Sequence, residues 1–202
     1  GYNVSISNAL YKESDFTFTG TAKVEGTNAD TYQMGLNEGQ FTNNNANFKK
    51  VTFVVEDGQL VIKPREVTLK ANSGKFDYDR NPKTVSGFTC WDVETQKEVT
   101  GLQFDEIIAS RTETDAGEYD VEFEKDPVNN KDQTGNYIVK GTENGQLVIT
   151  ANETEVVVKI TGHKTEETYD GDTHKAEGYN VSISNALYKE SDFTFTGTAK
   201  VE

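Results

Sequence analysis

Two histidines and two neighbouring aspartates have the residue types of a metal site. His163 and His174, the only histidines of the 202 residues, lie near Asp170 and Asp172. Imidazole and carboxylate groups together suit zinc. The run "YDGDTH" also resembles the start of a calcium-binding loop, but it lacks the later glutamate that such loops need. We interpret these residues as a loop beside a strand and expect no metal and no other cofactor.

The single cysteine, Cys90, could act as a nucleophile only beside a base, because the thiolate is the reactive form. Cys90 lies in the apolar run "GFTCWDV", and residues 63–150 contain no histidine. We therefore predict a small, buried core residue. The sequence also contains no glycine-rich phosphate loop and no serine nucleophile elbow. These observations predict no catalytic residue and no enzymatic activity.

The charge of the chain limits its partners. The sequence has 20 Lys and Arg against 34 Asp and Glu, a net charge of −14, which opposes binding to nucleic acids and to anionic membranes. No apolar run approaches the roughly 18 residues of a membrane-spanning helix. We expect no nucleic-acid partner and no membrane contact by this segment.

The chain is organised by internal repeats. Residues 1–25 are identical to residues 178–202, an offset of 177 positions. A weaker repeat has an offset of 87, by which "EDGQLVI" at 56–62 returns as "ENGQLVI" at 143–149. We infer two alternating units, A and B. Residues 1–62 are the later part of repeat unit A, residues 63–150 are a complete repeat unit B, and residues 151–202 begin the next repeat unit A.

Short β-branched and aromatic runs such as "EVTLKA" and "QLVIT", separated by turn residues, predict strands. The dipeptides Asp57-Gly58 and Asn144-Gly145 each stand between two such runs and predict two-residue hairpin turns. The best candidate for a short helix or turn is "NALYKESD". The expected fold is mainly β, with tandem small two-layer domains that are Ig-like or β-grasp-like and contain at most one short helix each.

A tyrosine corner is predicted in repeat unit B. In "TDAGEYDV" the order Asp115, Gly117, Tyr119 is typical of the Ig-like motif in which a tyrosine hydroxyl bonds back to the loop before its strand. Tyr32 takes the corresponding place in repeat unit A, since "TNADTYQMGL" aligns with "TDAGEYDVEF". The runs at 66–79 and 157–170 also align, which brings Tyr78-Asp79 onto Tyr169-Asp170. We expect all these tyrosines to have structural roles.

The motifs of repeat unit B resemble the MBG-type repeat domains of bacterial cell-surface proteins. They are "VTLKANSGKFDYDRNPKTVSGF", "TDAGEYDVEF" and "GNYIVKGTENGQLVIT". Repeat unit A resembles the related YDG type through "TYDGDTHKAEGY", whereas repeat unit B has Arg80 in place of the glycine. The resemblance implies an extracellular protein of the bacterial surface or cell wall, adhesin-like, and brings no catalytic residues with it.

Two functions agree with this organisation. One is a structural stalk or spacer, because a spacer tolerates copying and gains length from it. The alternative is a binding module for a host glycan, mucin or matrix protein that gains affinity by multivalency. Because the two parts of repeat unit A are separated by repeat unit B, we also expect strand exchange between chains, in which residues 151–202 of one molecule pair with residues 1–62 of another.

Overall fold

The computed structural model describes residues 1–201, and the predicted mainly β fold is confirmed. Its strands are, in chain order, β1 Phe16–Phe18, β2 Asp30–Gln33, β3 Phe41–Asn43, β4 Gln59–Ile62, β5 Arg65–Ala71, β6 Gly74–Asp77, β7 Lys83–Ser86, β8 Phe88–Asp92, β9 Ser110–Glu113, β10 Gly117–Val121, β11 Tyr137–Glu143, β12 Gly145–Thr150, β13 Val158–Gly162, β14 Ala176–Glu177, β15 Tyr179–Ile183 and β16 Lys200–Val201.

The helical segments are single 3₁₀ turns, at Glu13–Asp15, Glu38–Gln40 and Glu190–Asp192. The first and third lie in the two copies of "NALYKESD", where the sequence predicts a short helix or turn. In both copies the amide at the N-cap lysine donates to the aspartate that ends the turn. Within the described residues, no helix is long and apolar enough to span a membrane.

The chain forms two compact units. The first comprises Gly1–Asn72, Ser86–Ser110 and Glu122–Gly145. It contains the antiparallel pairs β1–β3 and β2–β4 and the three-stranded sheet β11-β5-β8. In this sheet β5 is central, parallel to β11 and antiparallel to β8. Apolar residues alternate along β5, so that Val67 and Leu69 are fully buried. They pack in one core cluster with Cys90 and Val139.

The second compact unit comprises Ser73–Val85, Arg111–Val121 and the chain from Gln146 onward. It contains the three-stranded sheet β10-β12-β6, in which β12 and β6 are parallel. The pairs β7–β9, β13–β15 and β14–β16 complete its strands. Leu147 and Ile149 of β12 are buried and alternate with more exposed residues, the period-two pattern expected of a strand with one covered face.

The repeat is visible in the strand register. In β5–β8, Val67 pairs with Asp92 and Ala71 with Phe88. In β13–β15, Val158 pairs with Ile183 and Gly162 with Tyr179. Each of these positions is shifted by 91 residues (158 − 67 = 91). The opening of repeat unit A therefore folds with the same pairing as the opening of repeat unit B.

Both predicted hairpins are wrong. β11 and β12 flank Asn144 but belong to different sheets, and β4, which follows Asp57-Gly58, pairs with β2. Gly145 is needed for a close approach, because a Cβ there would lie 2.0 Å from the Asn72 carbonyl oxygen. Gly145 is therefore not the turn residue of a hairpin, and its role is to let two backbone segments meet.

Candidate functional site

The two Tyr-Asp turns have the same internal hydrogen bonds. In repeat unit B the Asp79 carboxylate accepts from the Asn81 amide at 2.9 Å and from Lys83 Nζ at 2.7 Å. In repeat unit A the Asp170 carboxylate accepts from the Asp172 amide at 2.9 Å and lies 2.9 Å from His174 Nε2. The partners occupy positions i+2 and i+4 in both turns, so His174 takes the place of Lys83.

The four candidate metal ligands do not come together. His174 and Asp172 contact Asp170, but His163 lies elsewhere, with Nδ1 2.9 Å from the Glu177 carbonyl oxygen and Nε2 3.3 Å from Asn180 Oδ1. Among residues 1–201, no three His, Cys, Asp or Glu side chains are grouped so that they could hold a metal ion. The Asp170–His174 pair is explained by the turn that it closes.

Lys83 holds Asp79 ionised. The hydrogen bond from Lys83, together with that from the Asn81 amide, lowers the pKa of Asp79 to about 2. Lys83 is itself mostly covered, with 18% of its side chain exposed. The turn is therefore fixed by a charge-assisted contact that persists at neutral pH.

Arg80 occupies a backbone conformation that its side chain disfavours. Its φ angle is +66°, and Gly171 at the corresponding position of repeat unit A has φ +89°. The turn thus requires the left-handed region in both units. Glycine adopts it freely, whereas an L-residue with a Cβ pays about 1–2 kcal/mol. An arginine at this position points to a contact that offsets the strain.

That contact joins repeat unit B to the following repeat unit A. The Arg80 guanidinium donates through Nε to the Leu187 carbonyl oxygen and through Nη2 to the Asp192 carboxylate. Asp192 also accepts from the Lys189 amide at 2.9 Å. The arginine therefore binds the segment 187–192, which includes the 3₁₀ turn Glu190–Asp192, through one backbone and one side-chain acceptor. We call this contact the Arg80 junction.

The identical segment near the N-terminus shows the same turn in different surroundings. Lys12 donates to the Asp15 carboxylate at 2.8 Å, as Lys189 does to Asp192. Leu10, however, is 77% exposed, whereas its counterpart Leu187 is half-buried. The internal hydrogen bonds of the turn thus form with or without the arginine, and the junction is an addition to them.

A second contact joins repeat unit A to repeat unit B, and a tyrosine corner supports it. The Tyr32 hydroxyl donates to the Asn28 carbonyl oxygen at 3.1 Å, which fixes the Asn28–Ala29 loop. The Ala29 amide donates to Asn136 Oδ1 at 2.7 Å, and Asn136 Nδ2 donates to Asn28 Oδ1 at 3.1 Å. We call this contact the Asn136 junction.

The corner predicted in repeat unit B is confirmed. The Tyr119 hydroxyl donates to the Asp115 carbonyl oxygen at 3.1 Å, the same geometry as Tyr32 with Asn28. A Cβ on Gly117 would lie 2.9 Å from this hydroxyl, so the glycine keeps the corner open for the ring. Both repeat units therefore carry the same corner, four residues after the carbonyl that it binds.

Two buried carboxylates are structural. Asp92 accepts from the Arg65 guanidinium, from the Thr95 amide at 2.7 Å and from the Thr95 hydroxyl at 2.9 Å, and Arg65 holds its pKa well below the usual range. For Asp132, burial opposes ionisation, but hydrogen bonds led by the Thr134 hydroxyl at 2.5 Å outweigh it and lower the pKa. Asp92 thus ties β5 to the loop after β8, and Asp132 fixes the loop before β11.

Cys90 belongs to the apolar core, as predicted. It packs with Val67, Leu69 and Val139, and burial raises the pKa of its thiol, which disfavours the reactive thiolate. The neighbouring Trp91 is half-buried, and Lys70 Nζ lies 5.1 Å from its ring centroid. Lys70 also pairs with Glu143 at 3.0 Å.

The remaining predicted structural residues lie in several different places. The Asp57 carboxylate accepts from the Gly35 and Leu36 amides at 3.0 and 2.7 Å, and these bonds lower its pKa. Gly58 packs against Met34, and Asn144 Nδ2 donates to Glu122 at 3.4 Å. The Tyr78 amide donates to the Thr150 carbonyl at 2.9 Å, whereas Tyr169 is 94% exposed.

Comparison of the chain with protein-family models, with curated proteins and with solved structures gives no match.

Sequence reasoning missed the junction residues Arg80, Asn136, Leu187 and Asp192. One signal for Arg80 was present, because an arginine stands where the aligned repeat has glycine. The backbone acceptor at Leu187 has no sequence signal, since any residue supplies the same carbonyl oxygen.

Proposed function

We propose that this chain is a non-catalytic structural segment, a stalk or spacer, of an extracellular bacterial surface or cell-wall protein with an adhesive role. The resemblance of its motifs to MBG-type and YDG-type repeats supports the location. The adhesive partner, a host or cell-surface ligand, is bound by another part of the array in this proposal. The function of the described repeats is to hold successive units together.

The Arg80 junction carries this proposal. The strained arginine stands in a glycine position at the point where its side chain binds the next repeat unit. A domain that folded and acted alone would gain nothing from that strain. The Asn136 junction supports the same interpretation at the other boundary, because its asparagine binds a loop fixed by the Tyr32 corner.

The junction surfaces recur with the repeat. Leu10 and Asp15 lie 177 positions before Leu187 and Asp192 in identical sequence. They present the same carbonyl and carboxylate to the Arg80 position of another repeat unit B. Ala116, at the Tyr119 corner, aligns with Ala29 and is exposed. The acceptors of the Arg80 junction thus recur once in each 177-residue period, as expected of a propagating array.

Small-angle scattering tests the proposal on chains that contain one, two and three copies of residues 1–177. A spacer gives a maximum dimension that increases by a constant amount with each added copy. A maximum dimension that grows only as the cube root of mass indicates a compact assembly and contradicts the proposal. The same series carrying Arg80→Gly is the matched control, and its distance distribution should broaden because one junction in each period is lost.

A further inference from the structure

The loop that carries Asn136 has a counterpart in repeat unit A. Residues 43–48, "NNNANF", align with residues 132–137, "DQTGNY", at an offset of 89 (132 − 43 = 89). We call these segments the A loop and the B loop. Asn47 therefore takes the place of Asn136, and an aromatic residue follows each asparagine.

The A loop and the B loop have the same internal hydrogen bonds. The side chain of the first residue accepts from the amide of the third, at 3.0 Å in the A loop and 3.1 Å in the B loop. The side chain of the third residue accepts from the amide of the asparagine, at 3.0 Å and 3.2 Å respectively. The amide of the second residue donates to the Asp15 carbonyl oxygen in the A loop and to the Gln103 carbonyl oxygen in the B loop, both at 2.8 Å. The fold thus holds Asn47 by the contacts that hold Asn136.

The corner that Asn136 binds also has a counterpart. In the Asn136 junction the asparagine accepts from the Ala29 amide through Oδ1 and donates to Asn28 Oδ1 through Nδ2. Repeat unit B presents the same two groups as the Ala116 amide and the Asp115 carboxylate, and both residues are exposed. We call these two residues the corner loop. Its carboxylate accepts a hydrogen bond from an amide more strongly than the Asn28 side chain does, because the carboxylate is charged.

The corner loop lies at the end of the β7–β9 pair from which Arg80 extends. The hydroxyl oxygens of Thr84 and Thr112 are 2.8 Å apart, and the Gly87 amide donates to the Ala109 carbonyl oxygen at 2.9 Å. Residue numbers rise along one strand as they fall along the other, so the strands are antiparallel. Arg80 stands four residues before Thr84, and the corner loop ends four residues after Thr112. Arg80 and the corner loop are therefore at the same end of the strand pair.

The segment that Arg80 binds is tied to the A loop. Arg80 contacts residues 187–192, whose identical copy is residues 10–15. In this copy the Tyr11 hydroxyl donates to the first side chain of the A loop at 2.9 Å. The Tyr11 ring also packs edge to face on the aromatic ring that ends the A loop, with the ring centroids 5.2 Å apart. A repeat unit A that is bound by Arg80 therefore brings its A loop to the same end of repeat unit B as the corner loop.

On the basis of the spacer function, we propose that Asn47 of each repeat unit A binds the corner loop of the repeat unit B before it. Its Oδ1 accepts from the Ala116 amide, and its Nδ2 donates to the Asp115 carboxylate. The partner of this corner loop is thus the next period of the same array, a further copy of residues 1–177. Every boundary between units then has one asparagine bound to a tyrosine corner, and the boundary after repeat unit B adds the Arg80 junction.

Amide hydrogen exchange tests the contact in a chain extended by one period, residues 1–177 followed by residues 1–202. Labelling of the first copy alone with ¹⁵N, by segmental ligation, lets NMR follow its Ala116 amide. We expect this amide to exchange about tenfold more slowly than in the 202-residue chain, because it gains a hydrogen bond from the second copy. The Ala29 amide of the labelled copy already bonds to Asn136 and should keep its rate. Equal exchange of Ala116 in the two chains overturns the proposal.

Substitutions in the second copy identify the partner. Asn47→Ala should return Ala116 exchange to the rate of the 202-residue chain, and it keeps the backbone amide through which the A loop closes. Asn44→Ala is the matched control, since this side chain donates to Thr17 within repeat unit A, and Ala116 should stay slow in that chain. An Asn47→Ala chain in which Ala116 remains slow overturns the assignment of Asn47.

An exchange of the two side chains tests direct contact. Asn47→Asp in the second copy places two carboxylates together and should speed Ala116 exchange. Addition of Asp115→Asn in the first copy should restore slow exchange, because the new amide donates to the new carboxylate; repeat unit A already has Asn28 at this corner position. Failure of the double substitution to restore slow exchange overturns the contact.

The outcome for this contact is separate from that of the spacer function, because none of these variants changes Arg80. A maximum dimension that increases by a constant amount per copy, with fast exchange at Ala116, overturns the Asn47 contact alone. A compact assembly with slow exchange at Ala116 overturns the spacer function and leaves the contact in place.

Discussion

Replacement of Arg80 by glycine should separate the stability of repeat unit B from its attachment to the next unit. Glycine relieves the left-handed strain of about 1–2 kcal/mol at φ +66°, but it also increases the entropy of the unfolded chain by about 0.5–1 kcal/mol. Repeat unit B itself should therefore change in stability by no more than about 1.5 kcal/mol. Urea unfolding followed by fluorescence of Trp91, the only tryptophan, measures this stability.

The attachment should weaken more than the unit. The substitution removes two charge-assisted hydrogen bonds, to the Leu187 carbonyl and the Asp192 carboxylate. Arg80 and Asp192 are each about one third exposed, at 33% and 29%, so solvent screening limits the loss to about 1–2 kcal/mol. This loss corresponds to about 5–30-fold faster exchange of the Lys189 and Asp192 amide hydrogens, followed by NMR.

The chain contains its own control for this experiment. The amides of Lys12 and Asp15 make the same hydrogen bonds in an identical sequence, and their exchange should not change in the Arg80→Gly chain. Arg80→Lys keeps the left-handed residue and the charge but not the two-nitrogen contact, so it should give an intermediate effect. Unchanged exchange at Lys189, with a loss of more than about 2 kcal/mol in repeat unit B, would refute the reasoning.

Three further predictions concern single residues. Because the folded-state pKa of Asp79 is lowered to about 2, the stability that its ionisation contributes is complete above about pH 4 and is lost as the pH falls through 2. Asp79→Asn should flatten this pH dependence of stability, measured by tryptophan fluorescence. An unchanged pH profile in the variant would contradict the prediction. Tyr119→Phe should cost about 1 kcal/mol in urea unfolding through loss of the corner hydrogen bond, and a neutral effect would assign the corner to packing alone. Leu69→Ala should lower the free energy of unfolding by about 2–5 kcal/mol, whereas Ile160→Ala should lower it by less than about 1.5 kcal/mol, because only Leu69 is fully buried. Equal losses in the two variants would contradict the difference in burial.

Local chemistry made part of the structure predictable. The corner at Tyr119 depends on residues within four positions of each other, and the short runs of β-branched residues do form strands. Cys90 was predicted correctly because an apolar strand without a nearby base leaves a thiol only a packing role. In each case the deciding interaction lies within a few residues or within one strand.

The errors arose where one residue type has two uses. Asn144-Gly145 is typical of a tight turn, yet Gly145 serves the close approach of the Asn72 backbone, 73 positions earlier in the chain (145 − 72 = 73). The sequence alone also gives no indication that β11 and β12 belong to different sheets, because that choice depends on their pairing with β5 and β6, which are distant in sequence. Sequence reasoning misses the junctions because each includes a backbone group that every residue except proline possesses, the Ala29 amide in one and the Leu187 carbonyl in the other.

The parallel pairing of β5 with β11 has a mechanical consequence. β5 opens repeat unit B and β11 lies near its end, and six residue pairs join them. Tension applied between the start of β5 and the end of β11 pulls these parallel strands along their length in opposite directions. The hydrogen bonds are then loaded together in shear instead of being peeled apart one by one. Tension between the start of β6 and the end of β12 would load that pair, with its four parallel positions, in the same way. Under a pulling force, each repeat unit B should therefore yield abruptly and at high load, with a lifetime set by its unfolding rate.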